Sequence, residues 1–98
     1  MKTNTICGSM RFSEQMKEIA YYLESDKRYN ILQCTYCTDD ITPTQDEIMQ
    51  ITKAHYKKID LSDVIIVVNI DGDIGESVQQ EIEYTRKCGK EVIFHCDL

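Results

Sequence analysis

No apolar run in this chain approaches the roughly 20 residues that span a bilayer, and the N-terminus lacks the charged, apolar and small-residue order of a signal peptide. A cytoplasmic chain without a membrane partner is therefore expected. A basic surplus is also missing. Eleven Lys and Arg stand against 17 Asp and Glu, for a net charge of −6. A nucleic-acid polymer needs a clustered basic face, so that class of partner is excluded and small molecules or other proteins are expected instead. There are no repeats, linkers or low-complexity stretches.

Cysteine is not scarce, but nothing organises it. The five are an odd number in a chain without an export signal, so they are expected as reduced thiols that mostly serve as small packing residues. Cys34 and Cys37 have the spacing of a redox or zinc half-site, yet no second pair completes a zinc site. A thioredoxin-type pair opens a helix, whereas this one closes an extended run. No metal and no cofactor are expected.

What is present reads as one domain of 98 residues. Lys2 to Cys7 is a short strand. Gly8 to Phe12 is a turn, and Ser13 is the expected N-cap of a helix reaching Ser25, with Met16, Ile19, Ala20 and Leu23 as its buried stripe. Arg28 to Tyr36 has the composition of a second strand. Thr44 and Glu47 form a capping box for a helix to about Ile59. Val64 to Val68 is a continuous β-branched run, expected as a central strand buried on both faces. A third helix covers Ser77 to Cys88, Gly89 closes it, and Glu91 to His95 is the last strand. The βαβαβαβ order implies an α/β fold, a doubly wound parallel sheet of four to five strands with helices on both faces.

Within the third helix, at about 100° per residue, Glu81 falls on the side of Val78, Ile82, Thr85 and Cys88. A carboxylate directed inward must be paired, hydrogen-bonded or placed in a cleft for chemistry. His55 is the counterpart on the second helix, at the centre of the face made by Ile48, Ile51, Thr52 and Ile59. A lone inward histidine is more often a satisfied core residue than a catalyst.

In a parallel sheet the ligand lies where strand order reverses, so the loops after strands one and three should face each other. The first holds Gly8 and Ser9, which can offer backbone N–H groups and a hydroxyl to a phosphate or sugar, with Arg11 adding charge. The second runs from Asn69 through Asp71, Gly72, Asp73 and Gly75 to Ser77, which with Gln80 makes a capping box. Its two aspartates either complement a helix dipole or hold sugar hydroxyls.

Taken together, Ile6-Cys7-Gly8-Ser9-Met10-Arg11, Ile59-Asp60-Leu61-Ser62-Asp63-Val64-Ile65, Gly75-Glu76-Ser77, Glu81-Ile82-Glu83-Tyr84 and Gly89-Lys90-Glu91-Val92 resemble the nucleoside 2-deoxyribosyltransferase family, which includes deoxynucleoside 5′-monophosphate N-glycosidases. The likeness covers nearly the whole chain in motif order. It implies a flavodoxin-like (Rossmann-like) sheet whose glutamate, here Glu81, attacks the anomeric carbon of a 2-deoxyribosyl group and forms a glycosyl-enzyme ester. It further implies Cys7, Gly8, Ser9, Met10 and Arg11 around the sugar or phosphate, and Asn69, Asp71, Asp73, Gly75 and Ser77 in the loop over the sugar. Where the family commonly has an aspartate that helps the base depart, counting back from Asp63 gives His55. A histidine there implies either a general acid or a domain that keeps binding without turnover.

Two readings follow. The first is an N-glycosidic-bond enzyme with Glu81, His55 and Asp73 as its catalytic residues. The second is a non-catalytic nucleotide-binding or interaction module on the same fold. A flavin-bearing electron carrier is a weaker third, because the loops lack a hydroxyl-rich phosphate turn and flanking aromatics. A homodimer or higher homo-oligomer is expected, with Tyr21, Tyr22 and Tyr56 as candidate contacts.

Overall fold

The computed structural model describes residues 1–36, 40–72 and 74–98. Four strands, β1 (Thr3–Gly8), β2 (Asn30–Leu32), β3 (Val64–Val68) and β4 (Glu91–Phe94), alternate with three helices, α1 (Ser13–Ser25), α2 (Gln45–Asp60) and α3 (Glu76–Lys87). The strands form one parallel sheet in the order β2-β1-β3-β4. Among the described residues no helix is long and apolar enough to cross a membrane.

Every residue of β3 is buried, as its uninterrupted β-branched run predicts. The pleat sends alternate side chains to two cores. Ile66 and Val68 join Ile6, Ile31 and the α1 residues Met16, Ala20 and Leu23 on one face. Ile65 and Val67 join Cys7, Ile59 of α2, and Val78 and Ile82 of α3 on the other. Each such Ile, Leu, Val or Met side chain contributes about 1.5–3 kcal/mol by leaving water, which is why the sheet holds helices on both faces.

Helix ends are secured locally. Thr44 Oγ1 accepts from the Glu47 backbone N–H while Glu47 accepts from that of Thr44, the reciprocal box expected at the start of α2. At the other end the Lys90 ammonium donates to the carbonyls of Ile59, Asp60 and Ser62, at 3.0, 2.6 and 2.7 Å. A cation at a helix C-terminus offsets both the unpaired carbonyls and the negative end of the dipole. Gly89, at φ +73°, closes α3 in the left-handed region that favours glycine.

Four local expectations differ from the structure. The second strand is only Asn30–Leu32, because β1 offers it a three-pair register and Arg28, at φ 61°, has left extended geometry. Ser13 lies inside α1, whose N-cap is Phe12; the nearby capping serine is Ser9, which accepts from the Arg11 N–H in the tight turn Met10–Phe12. Ser77 does not cap α3, whose N-cap is Gly75, with no side-chain cap bond. Cys88 is exposed, just beyond the last turn of α3.

Candidate functional site

From β1 the chain crosses by α1 to β2, and from β3 by α3 to β4 on the opposite side. The adjacent strands β1 and β3 thus send their connections apart, which opens a crevice at their carboxyl ends. A cleft of about 430 Å³ occupies that place, walled by the β1 turn, α2, the stretch after β2 and the start of α3. Gly8, on the cleft lining, lets α1 and β3 pack closely against the end of β1: a Cβ there would lie 2.9 Å from Met16 Sδ and 3.2 Å from Val68 Cβ.

Glu81 and His55 meet in this cleft. The Glu81 Oε1 is 2.9 Å from His55 Nε2, and their side chains are 13% and 12% exposed, so the carboxylate is partnered yet reachable. Cys7, on the last turnward part of β1, is fully buried and places its Sγ 3.5 Å from the same Nε2. His55 Nδ1 is buried without a partner among the described residues. Each side chain arrives on a different element, β1, α2 or α3. The Thr85 hydroxyl donates to the Glu81 carbonyl oxygen at 2.7 Å within α3.

The electrostatics follow from burial. The Cys7 thiol is pushed up chiefly by desolvation and then by the Glu81 charge, so it is held as the neutral thiol. Cys34, lining the cleft wall, is raised mainly by desolvation. Tyr56 is raised by desolvation first and by Glu81 second; its ring meets that of Tyr84 edge-on, with centroids 4.9 Å apart. A Cys–His–Glu nucleophile relay is not built here. That arrangement needs the carboxylate on one ring nitrogen and the thiol on the other, whereas both share Nε2. The three donor atoms do lie within 4.8 Å of one another, close enough to hold one metal ion, although none was expected from the sequence.

Of the residues expected at the site, Gly8, Ser9, Met10, His55, Gly75, Ser77 and Glu81 line the cleft, and Cys7 lies beneath it. Arg11, Asn69 and Asp71 are not among its lining residues. The Arg11 guanidinium stacks over the Phe12 ring, 5.1 Å from its centroid. Asn69 donates to Cys96 Sγ at 3.3 Å. Asp71 is exposed at φ 54° in the turn Ile70–Gly72. Asp73, and with it the Cys37 half of the cysteine pair, lies outside the described residues. The tyrosines expected at a subunit contact divide: Tyr21 and Tyr22 are exposed on α1, while Tyr56 lines the cleft.

Sequence reasoning missed the apolar wall. Pro43, Ile48 and Ile51 line the cleft beside Thr52 and Tyr56, and Ile48 is 49% exposed. The spacing Ile48, Ile51, Thr52, His55 marked a shared face, but not that its first half overhangs the sheet. Comparisons with protein-family models, with curated proteins and with solved structures return no match.

Proposed function

We propose that the chain is an N-glycosidic-bond enzyme acting on a nucleoside or nucleotide, with Glu81 as nucleophile, on a sheet of the flavodoxin-like type. The observation that carries this reading is the Glu81–His55 pair in the cleft: a carboxylate held at 2.9 Å by an imidazole and reachable by a ligand. An apolar wall with Ile48, Ile51 and Tyr56 supports a planar base, and Ser9 and Ser77 in the same lining offer hydroxyls to a sugar.

In this mechanism the free oxygen of Glu81 attacks C1′ as the bond from C1′ to the base nitrogen breaks. A protonated His55 delivers its proton to the departing base, and the sugar remains as an ester on Glu81. Water or a second base then attacks C1′ from the opposite face, with His55 accepting the proton, and the carboxylate is released. Two inversions leave the configuration retained. The hydrogen bond to His55 also orients the carboxylate before the substrate arrives, the preorganisation that saves reorientation at the barrier.

The experiment is chromatographic. Ribo- and deoxyribonucleosides and their 5′-monophosphates, with and without an acceptor base, are incubated with the wild type and with Glu81→Gln. Free base from the wild type alone supports the reading. Saturable ligand binding with no base from any substrate, and binding retained in Glu81→Gln, would replace it with a non-catalytic binding module.

A further inference from the structure

We propose that Cys7, His55 and Glu81 form a binding site for a divalent cation of the zinc class, with one coordination position left facing the cleft. This inference rests on the donor geometry and goes beyond the glycosidic reading, so it stands or falls independently of whether any base is released.

Three observations carry it. The first is convergence: Cys7 Sγ, His55 Nε2 and Glu81 Oε1 come from three separate elements and all lie within 4.8 Å of one another. A tetrahedral zinc with bonds of about 2.0–2.3 Å needs its donors about 3.3–3.6 Å apart. The sulfur–nitrogen separation of 3.5 Å already meets this, and the nitrogen–oxygen separation of 2.9 Å needs a small opening.

The second is competition for one atom. In the metal-free arrangement a single Nε2 faces both a thiol and a carboxylate. It carries either one proton or one lone pair, so when its N–H donates to Glu81 the thiol must turn to the same carboxylate, and three groups compete for one nitrogen and one carboxylate. A cation among the three atoms satisfies a lone pair on each.

The third is charge. One thiolate, one carboxylate and a neutral imidazole sum to −2, the complement of a dication, so the loaded site is neutral where charge is costly to bury. On loading, the Cys7 S–H bond is exchanged for a sulfur–metal bond, and the proton passes to solvent. The mixed sulfur, nitrogen and oxygen set selects zinc-class ions over magnesium and calcium, which take oxygen ligands.

His55 and Glu81 line the cleft while Cys7 lies below them, so the fourth position of a tetrahedral ion faces the ligand space. Such three-ligand sites with an open position are the reactive kind, as distinct from closed structural ones. A metal there takes His55 Nε2, so the imidazole can no longer deliver a proton to a departing base, and the loaded and the base-releasing forms exclude each other.

The test uses the full chain, reduced and freed of metal by a chelator. Zn²⁺ is titrated in competition with a chromogenic chelator, and Co²⁺ serves as the spectroscopic probe. One equivalent is expected, with tetrahedral cobalt bands and a thiolate-to-cobalt charge-transfer band. Cys7→Ala should abolish that band. Glu81→Gln should weaken Zn²⁺ at least about 100-fold, beyond the 10- to 100-fold typical of losing only an outer partner. The Cys88→Ser/Cys96→Ser and Cys34→Ser/Cys37→Ser proteins should bind as the wild type does. Because Cys7→Ala alters a buried position, Glu81→Gln gives an independent decision: Zn²⁺ should raise the Tm of the wild type but not of this variant. No competitive binding by the wild type, a charge-transfer band that survives Cys7→Ala, or its loss with Cys34 and Cys37 instead, would overturn the proposal.

Discussion

His55 Nε2 and Glu81 Oε1, 26 positions apart in the chain, lie 2.9 Å apart in the cleft. The pair joins α2 to α3 above the carboxyl end of β1, so each residue fixes the other's orientation. Its chemical consequence is a division of labour. Replacing Glu81 by Gln keeps the shape and removes the nucleophile, and base release should fall by about a thousandfold or more. His55→Gln should cost about 10²–10⁴-fold, and least for substrates whose base leaves unaided. Initial rates across pH check both.

Gly8→Ala should destabilise the chain by about 1–3 kcal/mol, the usual penalty for overpacking. The new methyl would meet Met16 Sδ and Val68 Cβ at once, and the latter belongs to a fully buried strand that has no room to yield. Urea denaturation read by circular dichroism gives the shift in midpoint.

Lys90→Met should cost about 1.5–3 kcal/mol, the range for a hydrogen-bonded charged group. It retains much of the stem but leaves the carbonyls of Ile59, Asp60 and Ser62 without their shared donor. Denaturant midpoints with and without added salt measure the loss.

Tyr84 should ionise late. Its hydroxyl donates to Asp60, and that bond, ahead of burial, pushes its pKa up from 10.0 to about 12. The raised value belongs to the folded state, so the contribution is complete below about pH 10 and is lost as pH rises toward 12. Tyr36 and Tyr56 are raised as well, so an ultraviolet titration of tyrosinate should show several late groups, of which Asp60→Asn should bring down the Tyr84 component alone.

Thiol modification should follow exposure and charge. Cys88 and Cys96 are exposed, while Cys7 is buried with its thiol raised by desolvation and by Glu81. Among the described cysteines, alkylation of the folded chain near neutral pH, located by peptide mass spectrometry, should label those two first and Cys7 only on unfolding.

The sequence made the elements legible where one physical signal dominated. Val64–Val68 is an unbroken β-branched run and is a wholly buried strand. Thr44 and Glu47 are a local reciprocal pair and need no tertiary information. Glu81 stood out because helix periodicity assigns each position a side. The unread parts depend on neighbours. Arg28 to Tyr36 has strand composition throughout, but only three of its residues find a ladder partner on β1. Asn69 and Asp71 occupy the expected loop, yet Asn69 turns to Cys96 and Asp71 to solvent. Composition reads Cys7 as one small packing residue among five and the resemblance puts it near the ligand; its closeness to His55 spans 48 positions and no local pattern encodes it.

The register of β1 on β3 couples Asn4 to Val64 and Gly8 to Val68, pairs separated by nearly two-thirds of the chain. The β1 turn and the start of α3, two walls of the cleft, are held together across that one ladder. His55 and Glu81 both lie in the second half of the chain, but Cys7, Gly8 and Ser9 come from its beginning and meet them only across this ladder, so the complete cleft needs both halves. The fraction of molecules able to bind should track the fraction globally folded, with no intermediate state of reduced affinity between them.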